Sequence, residues 1–420
     1  MSQEPKAPKQ AAAARHSNQS DTSLAGRFFA ALGKIVAVLV ISSLTVVALS
    51  AWQLQSELDR HKIHLPVGAS QTPPNINGPI NLLLVGSDTR SGQGMTVFGN
   101  SGGNLADVII LLHIAADRQS AVALSFPRDL IVPWPHCPST TGGPGYLPQS
   151  LGQINATIAN GGPGCTLLTV EQLTGLSIPY LAMIDFKGVI ELSNVVGGVN
   201  VCVAKDINDP YTNTYLKAGA HTLQGLQALQ FLRTRHGVGD GSDLTRISNQ
   251  QVFLTSLVRK IKSKDVLSNP VTLYGLAAAA SRNMVLSDTL ADNGTLVAIA
   301  MGLKAIPMKN ITFLQLPSVA GLPAPYAGRV KPDAEKAQVL FDLIKADKPL
   351  VLSKANTGYG GAVVVTPTPT PTPSTSGKPS PKPSASASAT ATPKPSPSIS
   401  TLPDWAQGTN AATTTCSKGN

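Results

Sequence analysis

From residue 35 to Trp52 the chain runs eighteen residues without a charge. With residues 28–34 in front of it, the stretch is long enough to cross a hydrocarbon core of about 30 Å as a helix, and Trp52 sits where an interfacial aromatic belongs. The polar run SELDRHKIH then continues as helix before a Pro/Asn/Gly stretch that reads as a linker to Gly78. Beyond it, residues 80–85, 108–113 and 121–126 are short β-rich apolar runs separated by turn signals, the pattern of buried strands. Apolar residues then recur at three- and four-residue spacing over 166–173, 186–195, 223–234 and 246–261, with strands expected at 180–184, 199–203 and 311–316. Strands interleaved with helices predict an α/β fold, a mixed central sheet covered by helices on both faces. From residue 366 to 400 the chain is almost all Thr, Pro, Ser, Ala and Lys, a composition that cannot bury enough apolar surface to fold. The expected organisation is a basic tail (1–27), an anchor (28–52), a linker (53–78), one folded domain (79–350), a disordered linker (351–400) and a terminal segment (401–420) whose Trp405 and Cys416 fit docking back on the domain.

Charge changes this picture little. The net +10 is concentrated at the ends: five Lys or Arg stand in the first 34 residues against Glu4 and Asp21, and four Lys in the tail against Asp404. Lys6, Lys9, Arg15 and Arg27 precede the apolar run, which by the positive-inside tendency keeps the N-terminus in the cytoplasm and exports the rest. A cleaved signal peptide is the alternative, since Ala48-Leu49-Ser50 loosely resembles a cleavage site, but the run exceeds the usual signal-peptide core. The four cysteines, Cys137, Cys165, Cys202 and Cys416, all follow the anchor and lack zinc or redox spacing, consistent with disulfides. Three connectivities are open. Cys137 with Cys165 is preferred because both stand in Gly/Pro-rich loop sequence, which leaves Cys202 for Cys416 or for neither.

The candidate chemistry lies at strand and helix ends. Asp88 follows one predicted strand and Asp107 begins another, so two carboxylates at adjacent strand ends could share a hard cation such as magnesium, which takes one or two carboxylates plus phosphate oxygens. Alone, each reads as a turn former or helix cap rather than a ligand. Arg128 follows a strand through Pro127, and Arg233, Arg235 and Arg246 flank one loop between two predicted helices. Four guanidiniums could converge on one anionic group, whose oxygens their forks match. The pairs Arg128-Asp129 and Asp243-Arg246, taken singly, read as structural salt bridges. Asp243, in a glycine-rich loop, is a candidate general base. His113, His136, His221 and His236 are scattered and form no metal cluster.

The strings GSDTR, ADVIILLHI, ALSFPRD, INATIANGG, VVGGVNV, LQGLQALQFLRTRHG and SDLTRISNQQ follow one another in that order. They resemble the LytR-CpsA-Psr family over roughly residues 80–350, and the Gly/Pro/Ala-rich composition resembles its actinobacterial members in style. The resemblance implies a magnesium-dependent phosphotransferase (manganese being a possible substitute) anchored by one helix in the cell membrane with its catalytic domain outside. Such an enzyme moves a phospho-glycopolymer from a polyprenyl diphosphate carrier onto peptidoglycan. It also implies roles: Asp88 and Asp107 as metal-associated acids, Arg90, Arg128, Arg233, Arg235 and Arg246 as diphosphate-binding, Asp88, Arg128, Asp243 and Arg246 as catalytic, with Asp243 the base. Helices 186–195 and 251–261 would cover a channel for the polyprenyl chain, with Phe186, Val189, Ile190 and Phe253 facing it. Two departures stand out, since many members carry arginines where this chain has Leu105 and Asn249; either the donor is less charged or Arg90 and Arg235 carry more of the load.

A DNA-binding regulator is excluded by export, so no nucleic acid is expected as partner. A non-catalytic binder of polyprenyl-linked precursors would need only the arginines and the channel, and a polyprenyl diphosphate hydrolase would replace the sugar hydroxyl by water. Neither the glycopolymer, the acceptor sugar nor the oligomeric state is fixed by the residues.

Overall fold

The computed structural model describes residues 24–66, 75–89, 103–139, 143–352, 361–365 and 400–420. Arg90, the basic tail before Leu24 and nearly all of the Pro-rich segment lie outside the described residues. The chain divides into two units, residues 1–53 and 54–420.

The helices are α1 (Leu24–His61), α2 (Thr157–Thr174), α3 (Phe186–Val195), α4 (Leu226–Arg233), α5 (Asp243–Ile261), α6 (Lys264–Leu267), α7 (Pro270–Asn283), α8 (Asn293–Ala305) and α9 (Ala334–Lys345). The strands of the first half are β1 (Lys62–Ile63), β2 (Ile80–Ser87), β3 (Ala106–Ile114), β4 (Ala121–Phe126), β5 (Ile131–Trp134), β6 (Gln149–Gln153), β7 (Tyr180–Ile184), β8 (Val199–Lys205), β9 (Ile207–Asp209) and β10 (Thr214–Leu216). Those of the second half are β11 (Gly219–Leu223), β12 (Met284–Ser287), β13 (Ile311–Gln315), β14 (Ser318–Val319), β15 (Lys331–Pro332), β16 (Leu350–Leu352), β17 (Ala362–Val364), β18 (Ser400–Leu402), β19 (Gly408–Asn410) and β20 (Thr415–Lys418).

Eight strands form a mixed sheet in the order β1-β12-β7-β2-β3-β4-β13-β19. Its middle strands are apolar on both faces because both are covered. Leu83 and Val85 of β2 pack with α2 and α9 in one core, while Leu82 and Leu84 pack with α8 and the inner face of α5 in another. The parallel β2–β7 and antiparallel β2–β3 pairings bring the ends of β2 and β7 and the start of β3 to one edge. The end of β4 joins them there, antiparallel to β3, as does the end of β13, parallel to β4.

Four sequence-based expectations need correction. The polar run after residue 53 continues as helix to His61 as expected, but β1 then pairs with β12 where linker was expected. Buried Leu58, and Gln55 donating to Ala291 O, tie that last part of α1 to the domain. Residue 223 ends strand β11 rather than opening a helix, and Gly225 at φ 58° turns the chain into α4. The helix expected from 166 starts at Thr157 and breaks at Gly161-Gly162. A side chain at 161 would collide with the Cβ atoms of Cys137 and Cys165, each 2.8 Å from where its own Cβ would lie, so the disulfide there requires glycine. Finally, part of the stretch expected as disordered, β17, is a strand.

The terminal segment does dock. β19 adds to the edge of the main sheet, and β20 inserts between β8 and β17 in a second sheet, β11-β8-β20-β17. Both disulfides are present, Cys137–Cys165 and Cys202–Cys416, the second stapling β20 to β8.

Candidate active site

Asp107 owes its position to a β-bulge. Gly86 pairs with Val108 and Ser87 with Ala106, which leaves Asp107 as the extra residue of β3, and bulges commonly re-aim a side chain beside a site. Close strand contact requires Gly86, whose hypothetical Cβ would stand 3.0 Å from Val108 Cβ. Asp88 lies at the same edge, its N–H donating to Leu105 O (3.0 Å) and its Oδ1 accepting from Leu105 N (2.7 Å).

Pro127 ends β4, and Arg128 turns back over the start of β3 to reach Asp107 Oδ1 at 2.6 Å. From the other side comes α5, capped by Ser242, whose oxygen accepts from Thr245 N. Asp243 and Arg246 stand three residues apart and so share a helix face; their charged atoms are 2.6 Å apart. Arg246 also donates to Asp107 O (3.1 Å) and lies 3.6 Å from Asp107 Oδ1. Asp243 Oδ2 accepts from the Arg128 backbone N–H at 3.2 Å, and its Oδ1 is 3.2 Å from Arg128 Nε. Both Asp243 oxygens are thereby engaged, so a base role would require one of these contacts to give way.

Arg233, the last residue of α4, lays its guanidinium over the Phe186 ring at 4.7 Å, and its charge reaches Asp107. Arg235 is set differently. Its backbone N–H, with His236 N and the Thr234 hydroxyl, is gathered by the buried Asp209 Oδ2, and no ion pair joins it to the cluster among the described residues. Arg235 Nε and Arg246 Nε are buried and donate to nothing described. Sequence reading missed that Asp209 clamp, and also missed Gln153 and Arg329, which donate to Asp129 Oδ1 at 2.7 and 2.8 Å.

The charges work against burial. Burial pushes the Asp107 carboxyl up, but Arg246, Arg128 and Arg233 outweigh it and hold the group below the ordinary aspartate value. For Asp129 the balance reverses: burial and the negative charge of Asp243 lift it above that value despite Arg128 and Arg329. Burial likewise disfavours the Arg128 cation, yet Asp107 and Asp243 hold its proton more tightly than usual.

Behind this cluster lies a cavity of about 250 Å³ between the β2–β3–β7–β12 face and α3, α4 and α5. Leu84, Ile110, Ile184, Val189, Leu232 and Leu254 are among the apolar side chains of its wall, and Asp107, Arg233 and Arg246 stand in the same wall. Phe186 and Val189 line it as expected. Ile190 and Phe253 do not: Phe253 packs instead against Phe231 (ring centroids 6.3 Å apart), in the core beneath the second sheet.

Among the described residues no three His, Cys, Asp or Glu gather as a metal cluster. Asp88 and Asp107 stand as carboxylates at the same strand edge. That fits a hard divalent ion completing its shell with water and phosphate oxygens.

A profile of the LytR_cpsA_psr family matches residues 48–338. The chain belongs to the LytR_cpsA_psr family. Family relatives include "Cell wall biosynthesis protein LcpA" of Corynebacterium glutamicum, 29% identical over 57% of this chain and 50% of the relative. "Probable cell wall biosynthesis protein LcpB" of the same organism is 31% identical over 59% of this chain and 56% of the relative. The "polyisoprenyl-teichoic acid--peptidoglycan teichoic acid transferase TagT" of Bacillus subtilis is 28% identical over 55% and 67%. The chain thus spans about half the length of the first two curated relatives it matches. Its fold matches that of a solved protein from Streptococcus agalactiae (TM-score 0.53, 23% identity, 64% of this chain and 88% of that one). It also matches the "LytR-Csp2A-Psr enzyme from Actinomyces oris" (TM-score 0.50, 23% identity, 67% and 94%).

Proposed function

We propose that this protein transfers a phospho-glycopolymer from a polyprenyl diphosphate carrier to peptidoglycan at the outer face of the cell membrane. One observation carries the reading: an apolar cavity shares its wall with two guanidiniums, the buried Arg246 and the half-buried Arg233. An amphiphile with a long hydrocarbon tail and a diphosphate head matches that pairing of surfaces. The names of the transferase relatives support the same class of reaction.

In this reading the tail lies between α3, α4 and α5, and Arg128, Arg233 and Arg246 hold the non-bridging oxygens. A hydroxyl of the acceptor sugar attacks the phosphorus that bears the glycan. The bond to the bridging oxygen breaks, and polyprenyl phosphate leaves with that electron pair. The guanidiniums stabilise the charge that builds on the equatorial oxygens. Asp243 keeps Arg128 and Arg246 aimed, and once substrate draws those guanidiniums away, its freed oxygen takes the hydroxyl proton. Asp88 and Asp107 would hold magnesium, which supplies charge neutralisation at the diphosphate. α1, long and apolar enough to span a membrane, anchors the domain, with its Arg27 end in the cytoplasm.

The test is release of polyprenyl phosphate from a polyprenyl diphosphate oligosaccharide by the full chain in detergent micelles, with magnesium and peptidoglycan fragments. Release accompanied by a glycan-modified fragment supports transfer; lipid that binds and is never cleaved, with or without acceptor, sinks it.

A further inference from the structure

A second cavity, of about 220 Å³, opens at the end of β13 and is lined by Gln315, Ser318, Asp333, Lys336, Trp405 and Gln407. It is made by three parts of the chain: the exit of β13, the first turn of α9, and the docked terminal segment. Gln315 N donates to Gln407 O (3.0 Å), which sets the two glutamines side by side, and Asp333 N donates to Pro317 O (2.9 Å). Gln315 is only 3% exposed, yet its Nε2 has no hydrogen-bond partner; Gln407 Oε1 is buried and equally unpartnered. Buried polar atoms in native proteins are nearly always paired, because leaving one unpaired costs about 1–3 kcal/mol. One orphan donor and one orphan acceptor at a single cavity suit a group that both accepts and donates.

We infer that this cavity is a saccharide subsite. Sugar hydroxyls are donor and acceptor at once and satisfy both glutamines. The half-buried Trp405 offers an aromatic wall for the apolar face of a pyranose ring. The ligand is neutral at this point, because Lys336 is already paired with Asp333 at 2.7 Å and no arginine lines the cavity.

Its place in the sheet gives the subsite a purpose. Leu316 N donates to Ser125 O at 2.9 Å, so the cavity lies at the same edge as Arg128, one strand beyond β4. Along that edge the hydrocarbon cavity spans β12, β7, β2 and β3, the guanidinium cluster falls at β3 and β4, and the polar cavity follows at β13. A sugar unit there belongs either to the donor glycan or to the peptidoglycan acceptor. This assignment of the sugar's origin rests on the transferase reading; binding itself is measured without turnover.

The experiment is calorimetry and saturation-transfer NMR on the full chain in detergent micelles. The probes are the N-acetylglucosamine–N-acetylmuramic acid disaccharide without its peptide, the stem peptide alone, and the oligosaccharide released by mild acid from the organism's own wall glycopolymer. One of the two saccharides is expected to bind with a Kd of about 1 mM or tighter, and which one binds names its source. Gln407→Ala, whose side-chain oxygen has no partner to lose, and Trp405→Ala should each weaken it about tenfold. Arg246→Ala should leave it unchanged, so loss of lipid cleavage and loss of sugar binding are read separately. Binding of neither saccharide, equal binding by both subsite variants, or binding by the stem peptide alone overturns the inference.

Discussion

Arg246 is 4% exposed and serves two carboxylates, Asp243 at 2.6 Å and Asp107 at 3.6 Å. Arg246→Ala therefore does two separable things. It leaves the buried Asp243 and the part-buried Asp107 with Arg128 as their remaining close ion-pair partner and Arg233 acting on Asp107 at longer range, and breaking one partner of a buried pair costs about 3–5 kcal/mol of stability. It also removes one preorganised donor from the transferring phosphoryl group, a loss of about 100- to 1,000-fold in rate, or about 3–4 kcal/mol. The two effects part company in the double variant Asp243→Asn/Arg246→Ala, where removing charge from both sides restores much of the stability. Thermal unfolding of the full chain in detergent should show the single variant destabilised and the double variant largely recovered. Polyprenyl phosphate release should stay low in both. Arg246→Lys keeps the charge but loses the fork that reaches Asp243 and Asp107 together, so its rate should fall between wild type and alanine. A folded Arg246→Ala enzyme with nearly wild-type release, or a double variant that recovers turnover, would show that Arg246 only neutralises Asp243 and would refute its place on the phosphate.

Other outcomes follow from the same contacts. Cys416→Ser opens a loop whose ends are 214 residues apart; the chain entropy of such a closure is worth up to about 5 kcal/mol, so its melting temperature should fall well below that of wild type under oxidising conditions, and equal melting would mean that β20 holds by its ladder alone. Chelation should abolish polyprenyl phosphate release, and Asp88→Asn should raise the magnesium concentration needed for half-maximal rate; a rate indifferent to both would remove the metal from the reaction. Asp129 has a folded-state pKa above its unfolded one, so its ionisation opposes folding: the penalty is absent below the ordinary aspartate value of 3.8, grows as pH rises through the raised folded value, and is fully present above it. Asp129→Asn should accordingly gain stability relative to wild type between acid and neutral pH in thermal melts, and a difference independent of pH would contradict that account.

The central strands were legible in the sequence because burial on both faces makes β2, β3 and β4 continuous apolar runs. Asp107 and Arg128 were legible too, since each sits next to the end of such a run, and Arg246 because it opens the predicted helix after a glycine-rich loop. What no local pattern carries is pairing across long separations. The bulge that frees Asp107 depends on Gly86 meeting Val108, and Gln153 at the end of β6 and Arg329 reach Asp129 from 24 and 200 residues away. The apolar stripe of α5 gave the right face of the helix but not its division: Leu254 borders the cavity, while Phe253 packs under the second sheet. The docking of the last turns of α1 was not legible because Ser56, Glu57, Asp59 and Arg60 surround a single buried residue, Leu58, too little apolar periodicity to mark a packed face.

The terminal strand also bears on the two positions where family arginines are missing. Asn249 is fully buried, donates Nδ2 to Phe231 O at 2.8 Å, and accepts the Ser417 hydroxyl on its Oδ1. Its side chain is spent tying α5 to the end of α4 and to β20. A guanidinium there would sit unpaired beneath β20, at a cost no surface contact repays. Asparagine at 249 thus goes with the docked terminus, whose Ser417 hydroxyl it accepts. Leu105 contributes through its backbone, whose N–H holds Asp88 Oδ1, a contact any side chain at 105 would preserve. Arg235 has its backbone fixed by Asp209 and a buried Nε with no described partner, whereas Arg233 stands in the cavity wall and its charge reaches Asp107.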